Sequence, residues 1–156
     1  MLEERERAYK RGLAERLAPR IPAGERIEAI AVCQLGPAPS LQVAPIAVGV
    51  VVLLVSVLAA SLPTWVGAIG ALIVLAGIVA LSRVPRRLLA RTDRSVHIFA
   101  LPRSPKAELD PPRVSVPIAD VPAYTGGSVE LGGERMWPNY GSGLERAALA
   151  RTLGER

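Results

Sequence analysis

The sequence predicts an α+β membrane protein: a two-helix transmembrane hairpin inserted into a small cytoplasmic antiparallel β barrel or sandwich with a C-terminal helix. Three observations lead to this fold class. The 156-residue chain has no charged residue and no histidine between Leu41 and Ser82. Short segments with strand patterns lie on both sides of that block. A capping box, Ser142-x-x-Glu145, opens a helix near the C-terminus.

The uncharged block is about twice as long as the ~20 residues that cross a bilayer. Pro63 divides it, because proline lacks an N–H and disfavours helix at the preceding residue. The segment 41–84 is therefore predicted to be a hairpin with spans at about 43–62 and 64–82, with Trp65 as an interfacial anchor. Neither span contains an ionisable side chain, so the hairpin is predicted to be an anchor without a transport site.

Basic residues flank the hairpin on both sides, whereas the loop between the spans has none. They are Arg16, Arg20 and Arg26 before it and Arg83, Arg86, Arg87, Arg91 and Arg94 after it. The positive-inside rule then predicts that both termini are cytoplasmic, with a minimal external loop. This topology accounts for the formal net charge of +5, so the composition does not call for a nucleic-acid partner.

Small residues in the second span indicate close helix packing. They are Gly67, Gly70, Ala71, Ala76, Gly77 and Ala80. Two interpretations are open: the two spans of one hairpin pack on each other, which is favoured, or a span packs on another subunit.

The first 20 residues are predicted to form an amphipathic helix that ends at Pro19 and Pro22. Its apolar face carries Leu2, Tyr9, Leu13 and Leu17. This helix either binds a partner or packs on the protein's own small domain. The second alternative is slightly favoured, because a balanced charge gives little attraction to anionic lipid.

The remaining segments predict one strand before the hairpin and about five after it. Residues 24–40 contain a strand at 26–35 and a proline-rich lead-in; residues 85–156 form the cytoplasmic β domain, with strands at 87–92, 95–101, 113–118, 128–131 and 134–137 and a helix over 142–153. None of these pieces has enough apolar surface to fold alone. We therefore expect the first strand to pair with the later ones, on the same side of the membrane.

Two short motifs resemble bacterial PH-like domains. Gly24-Glu25-Arg26-Ile27 precedes the first strand, and Arg91-Thr92-Asp93-Arg94-Ser95-Val96-His97-Ile98-Phe99 spans a hairpin before the final amphipathic helix. Small actinobacterial membrane members of that group have similar hairpins after a membrane insertion. The resemblance covers about residues 24–35 and 86–153. It implies a seven-stranded, helix-capped barrel for binding or assembly, in a bacterial plasma membrane. The hairpin would replace the loop that binds phosphoinositides in eukaryotic relatives, so no headgroup site carries over.

No catalytic, metal or cofactor site is predicted. His97 is the single histidine and is expected to be a packed strand residue, and Cys33 is expected to be a small strand hydrophobe. No serine–histidine or carboxylate pair has a spacing that indicates a nucleophile or a general base. The glycine pairs at 126–127 and 132–133 are typical of turns.

The sequence thus favours a non-enzymatic membrane-anchored interaction module, an accessory or assembly subunit of a membrane complex. Its partner would be another membrane protein or a second copy, contacted through Trp137 and Tyr140. The alternative is a sensor that binds anionic membrane lipid through Arg83, Arg86, Arg87 and Arg91. A hairpin pore former fits the two spans but not the structured C-terminal segment.

Overall fold

The computed structural model describes residues 2–59, 62–104, 107–139 and 143–154. The side chains of residues 2–7, 10, 143 and 144 are outside this description. The chain divides into two compact units. One combines residues 1–36 with 85–156, and the other is residues 37–84.

The predicted α+β class is confirmed, and each strand end agrees with its prediction to within one residue. The elements are α1 (Leu2–Leu17) with a 3-10 turn (Ala18–Arg20), β1 (Ile27–Leu35), α2 (Pro39–Leu58), α3 (Thr64–Ser82), β2 (Arg86–Thr92), β3 (Ser95–Ala100), β4 (Val114–Pro117) with a 3-10 turn (Ile118–Asp120), β5 (Val129–Leu131), β6 (Glu134–Pro138) and α4 (Gly143–Leu153). Helix α2 begins four residues earlier than predicted, because Pro39 suits a first helical turn, and it also ends four residues earlier, at Leu58. Ser142 of the capping box lies outside the described residues.

The six strands form one antiparallel sheet in the order β4-β3-β2-β1-β6-β5. Strand β1 pairs with β2, although α2 and α3 separate them in sequence; Ile30 lies opposite Ala90 and Gln34 opposite Arg86. The N–H of Leu35 donates to the carbonyl of Pro85 at 2.9 Å. The chain therefore leaves and re-enters the sheet at neighbouring strand ends, as expected for an insertion between the first two strands.

The sheet curls so that its two outer strands approach each other. Gly132, in the β5–β6 turn, lies against β3 and β4: a Cβ there would be 3.1 Å from side-chain carbons of Ile98 and Val114. Its φ of +61° is a second reason for glycine at this position. The result is a nearly closed, barrel-like sheet. The described residues contain six strands, one fewer than the resemblance implies.

Apolar clusters cover both faces of the sheet. The first joins strand residues such as Leu89, Ile98 and Met136 to Leu149 and Leu153 of α4. The second joins residues from α1, the strands and the β3–β4 connection: Leu13, Leu17, Val32, Leu88, Ala90, Phe99 and Leu109. Helix α1 thus packs on the protein's own domain. Strand β3 is buried on both faces for the same reason.

Helices α2 and α3 pack on each other at glycines. A Cβ on Gly49 would lie 2.8 Å from the backbone nitrogen of Val74, and one on Gly70 would lie 3.0 Å from the carbonyl oxygen of Gly49. A Cβ on Gly77 would lie 2.6 Å from Cγ1 of Ile46. The glycines of α3 therefore allow the close approach of α2, whereas the alanines Ala71, Ala76 and Ala80 are exposed.

Both helices are long and apolar enough to cross a bilayer. A core helix of a soluble protein would have the same composition but would be mostly buried. Here the buried residues are Gly49 in α2 and Gly70 and Gly77 in α3. Large apolar side chains such as Val57 and Leu58 are 77% and 84% exposed.

Replacement of Gly49 by leucine is expected to separate the two helices, since backbone and side-chain atoms already occupy the space of a Cβ. The separation can be measured by disulfide trapping. In a Cys33→Ala background, Ser56→Cys with Gly67→Cys should form a disulfide readily, because a Cβ on Gly67 would lie 3.7 Å from that of Ser56. Gly49→Leu should abolish the disulfide and Val57→Leu should not; equal trapping in both would contradict the packing.

Candidate functional site

Arg87, one of the four arginines predicted to contact lipid, is held inside the β domain. Its Nε lies 2.7 Å from Oε2 of Glu134, and its Nη2 lies 2.8 Å from Oε1. The Arg87 side chain is only 8% exposed. These hydrogen bonds raise the pKa of Arg87 and lower the pKa of Glu134. The sequence pattern could not show this, because Glu134 lies far away in the chain.

Arg91 also has partners within the domain. Its Nε lies 3.4 Å from Oε2 of Glu28, and its Nη1 lies 3.4 Å from the carbonyl oxygen of Thr152 near the end of α4. A cation at this position is favoured by the helix dipole. Arg83 is exposed and Arg86 is half-buried. Arg87 and Arg91 are therefore both held by contacts within the β domain.

Of the two predicted partner contacts, Trp137 lies near the end of β6. Trp137 is half-buried, and its indole N–H donates to the carbonyl of Gly36 at 3.1 Å. Tyr140 lies outside the described residues. Cys33 is fully buried in β1, and burial raises the pKa of its thiol above the ordinary value. Cys33 is therefore a core residue, in agreement with its predicted packing role.

One edge of β1 is open along part of its length. Strand β1 pairs with β6 only through Cys33, Gln34 and Leu35, and in the described part of the chain no strand flanks its first half on that side. The N–H of Leu35 points toward β2, so the even-numbered residues direct their backbone groups away from β2. Accordingly, the N–H of Val32 donates to Oε2 of Glu145 in α4 at 3.3 Å. The backbone groups of Ile30 face the same open side.

A groove of about 700 Å³ lies at this open edge, with one helix on each side. Its lining residues are Arg11 and Ala14 of α1, Ile27, Glu28, Ala29 and Ile30 of β1, and Ala148 and Arg151 of α4. The one acidic residue among them, Glu28, is paired with Arg91. Among the described side chains, no carboxylate lies within 4 Å of the Arg11 or Arg151 guanidinium. We call this the β1 groove; the net charge of its lining residues is positive.

A polar cluster surrounds the buried side chain of His97 on β3, and one of its members, Ser115, is exposed. Nε2 of His97 lies 2.9 Å from Oε2 of Glu25, and its Nδ1 lies 2.7 Å from the hydroxyl of Ser115 on β4. Oε2 of Glu25 also accepts from Thr92 at 2.6 Å and from Ser95 at 3.1 Å. A carboxylate only accepts hydrogen bonds, so Nε2 carries a proton; in a neutral ring Nδ1 then accepts from Ser115.

The chain of contacts from Ser115 through His97 to Glu25 has the arrangement of a nucleophile, a base and a group that orients the base. The His97 ring is 2% exposed, however, and the β1 groove is lined by other residues. Sequence reasoning missed the cluster, because it depends on the register that places Ser115 opposite His97. The Gly-Glu-Arg-Ile motif includes Glu25, but the motif gives no indication that Glu25 contacts His97.

Glu25 is expected to make stability depend on pH. Its hydrogen bonds to Thr92, then His97 and Ser95, hold its pKa below the ordinary 4.5. A lowered folded-state pKa adds stability above the unfolded value, and that stability is lost as the pH falls through the folded value. Glu25→Gln should therefore be less stable than the unmodified chain at pH 7, by a difference that shrinks below about pH 4.5. Chemical denaturation at several pH values measures this, with exposed Glu130→Gln as control; a difference that is independent of pH would contradict it.

Comparison with family models, curated proteins and solved structures finds no match for this chain. The function is therefore inferred from the geometry of the described residues.

Proposed function

We propose that this chain is a membrane-anchored, non-enzymatic interaction module, an accessory or assembly subunit of a membrane protein complex. In this proposal the hairpin fixes the β domain at the membrane, and the β1 groove receives a segment of the partner. The observation that carries the proposal is the open edge of β1 between α1 and α4. An unpaired strand edge is a template for another chain.

Several features support insertion of α2 and α3 in a bacterial plasma membrane. Their outward surfaces are apolar, and the exposure of such surface to water costs about 25 cal/mol of free energy for each Å². Trp65, at the start of α3, is 62% exposed, as an interfacial anchor requires. The arginines that flank the hairpin favour a topology in which both termini are cytoplasmic.

The curled antiparallel sheet with α4 packed on it supports a PH-like fold for the β domain. It agrees with the helix-capped barrel that the Gly-Glu-Arg-Ile and Thr-Asp-Arg motifs imply. The sheet differs from that barrel in the number of strands: the described residues form six, whereas the resemblance implies seven. Insertion of the hairpin directly after β1 agrees with the loss of the phosphoinositide-binding loop.

A photo-crosslinking amino acid at Ala29 tests the proposed function in the native membrane. Position 29 lines the β1 groove, whereas Glu130 on β5 is an exposed control. We expect one discrete adduct from position 29, with a membrane protein or a second copy, and none from position 130. The adduct should be lost when Ala14→Trp fills the groove. Adducts that are absent, or that are the same from both positions, would contradict the proposal.

A lipid sensor is the second candidate, and the exposure of Arg83 and partial exposure of Arg86 favour it. Charges near an anionic surface contribute on the order of 1 kcal/mol each. Native mass spectrometry of the full chain should then show retained anionic lipid that Arg83→Gln with Arg86→Gln removes. Arg94→Gln, 71% exposed on the β2–β3 turn, is the control. Unchanged lipid retention in the double variant would exclude this function.

A further inference from the structure

We infer that the β1 groove binds an extended acidic segment, which adds to the open edge of β1 as a further strand. This inference rests on the proposed function and specifies the chemistry of the partner. Three independent features of the groove support it: the backbone direction of β1, the two helical walls, and the charge at the groove.

The backbone of β1 supplies the first feature. The N–H and C=O of Ile30 face the groove, whereas the backbone N–H and C=O groups of the odd-numbered residues point toward β2. An added strand would lie about 4.8 Å from β1 and would bond to these groups. In this mode of recognition, main-chain hydrogen bonds give affinity, and alternate side chains give specificity. The carboxylate of Glu145 already supplies the partner of the Val32 N–H, so it marks where the added strand must end.

The walls of the groove supply the second feature. Ala14 of α1 and Ala148 of α4 present small apolar surfaces on its two sides, and Ile27 and Ala29 add apolar surface from β1. Successive side chains of a strand point to opposite faces of the sheet. An added strand would therefore direct one residue toward α1 and the next toward α4.

The charge of the groove supplies the third feature. Arg11 lies on the α1 wall and Arg151 on the α4 wall, and Arg91 pairs with the acidic Glu28. Two neighbouring acidic residues on one strand would place one carboxylate toward each arginine. The fitting segment thus contains an adjacent acidic pair flanked by small or β-branched apolar residues.

The same arginines could instead protect the strand edge from association, as charged residues do on many sheet edges. The two roles predict different results. If the charges only protect the edge, no strand should bind there, whereas recognition charges should admit a strand with acidic side chains and not one with amide side chains of the same shape.

Fluorescence anisotropy with the full chain in nanodiscs tests the inference. The probes are six-residue peptides with Glu-Asp between valines or isoleucines, and the same peptides with Gln-Asn. We expect binding of the acidic peptides alone, weakened about tenfold or more by Arg11→Glu with Arg151→Glu and unchanged by Arg135→Glu on β6. Lys-Lys peptides should bind the doubly reversed variant. Ile30→Pro, which removes an N–H that β2 does not use, should weaken the acidic peptides as well.

The outcomes separate the two proposals. Equal binding of acidic and amide peptides, or no binding of either, overturns the acidic-strand inference; discrete crosslinks from position 29 would leave the interaction module standing. Undiminished binding by the doubly reversed variant also overturns the inference. Loss of both the peptide binding and the crosslinks would remove the proposed function itself.

Discussion

Arg87→Ala is expected to lower the free energy of unfolding of the β domain by about 2–3 kcal/mol. The substitution removes both hydrogen bonds to Glu134 and leaves that carboxylate, which is 31% exposed, without its main partner. Loss of one member of a buried pair costs more than the pair contributes, because the remaining charge stays desolvated. The partial exposure of Glu134 places the expected loss at or below the lower limit of the range of about 3–5 kcal/mol for fully buried pairs.

Denaturant unfolding of the full chain in detergent, followed by Trp137 fluorescence in a Trp65→Phe background, measures this loss. Arg94→Ala is the matched control, since that side chain is 71% exposed and lies 3.9 Å from its neighbour Asp93. The control should change stability by less than about 0.5 kcal/mol. If Arg87→Ala matched the control, Arg87 would be a surface charge available to lipid.

Leu17→Ala is expected to lower the free energy of unfolding by about 2–4 kcal/mol. Leu17 is completely buried against the second face of the sheet, in a cluster with Leu88 and Phe99. Truncation would leave a cavity beneath α1, whose contact with the sheet also positions Arg11 and Ala14 at the β1 groove. The same variant should therefore weaken partner crosslinking from position 29.

Tyr9→Ala is the control on the same helix, because Tyr9 is 51% exposed although the sequence placed it on the apolar face with Leu17. We expect it to change stability by less than about 0.5 kcal/mol. If neither variant lowered stability, α1 would not be an integral part of the β domain; equal losses would contradict the burial of Leu17 and the exposure of Tyr9. A free α1 would favour the partner-helix interpretation.

The large elements were predictable because their signals are local. The uncharged stretch from Leu41 to Ser82 defined α2 and α3 without knowledge of the rest of the chain. Gly132-Gly133 marked the β5–β6 turn because both glycines adopt positive φ there. The pairing of β1 with β2 followed from the small apolar surface of each separate piece.

The site was less predictable because it depends on contacts between distant residues. Arg86 and Arg87 are sequence neighbours with the same basic character, but they point to opposite faces of β2, and it is Arg87 that meets Glu134 of β6, a strand with which β2 does not pair. The second core depends on α1 and on Leu109, in a connection that resembled an ordinary loop. The β1 groove exists because β6 pairs with β1 through three residues only, and strand length at that edge has no local signal.

Replacement of residues 37–84 by a short Gly/Ser linker tests the central claim most directly, that one β domain is assembled from both sides of the α2–α3 hairpin. Leu35 and Pro85 are already joined by a 2.9 Å hydrogen bond, so the linker closes a gap between neighbouring strand ends. We predict a water-soluble, β-rich product without detergent, which melts cooperatively and loses about 2–4 kcal/mol of stability with Leu17→Ala. An unfolded or aggregated product would contradict the account, since it would mean that β1 and the later strands do not form an independent domain.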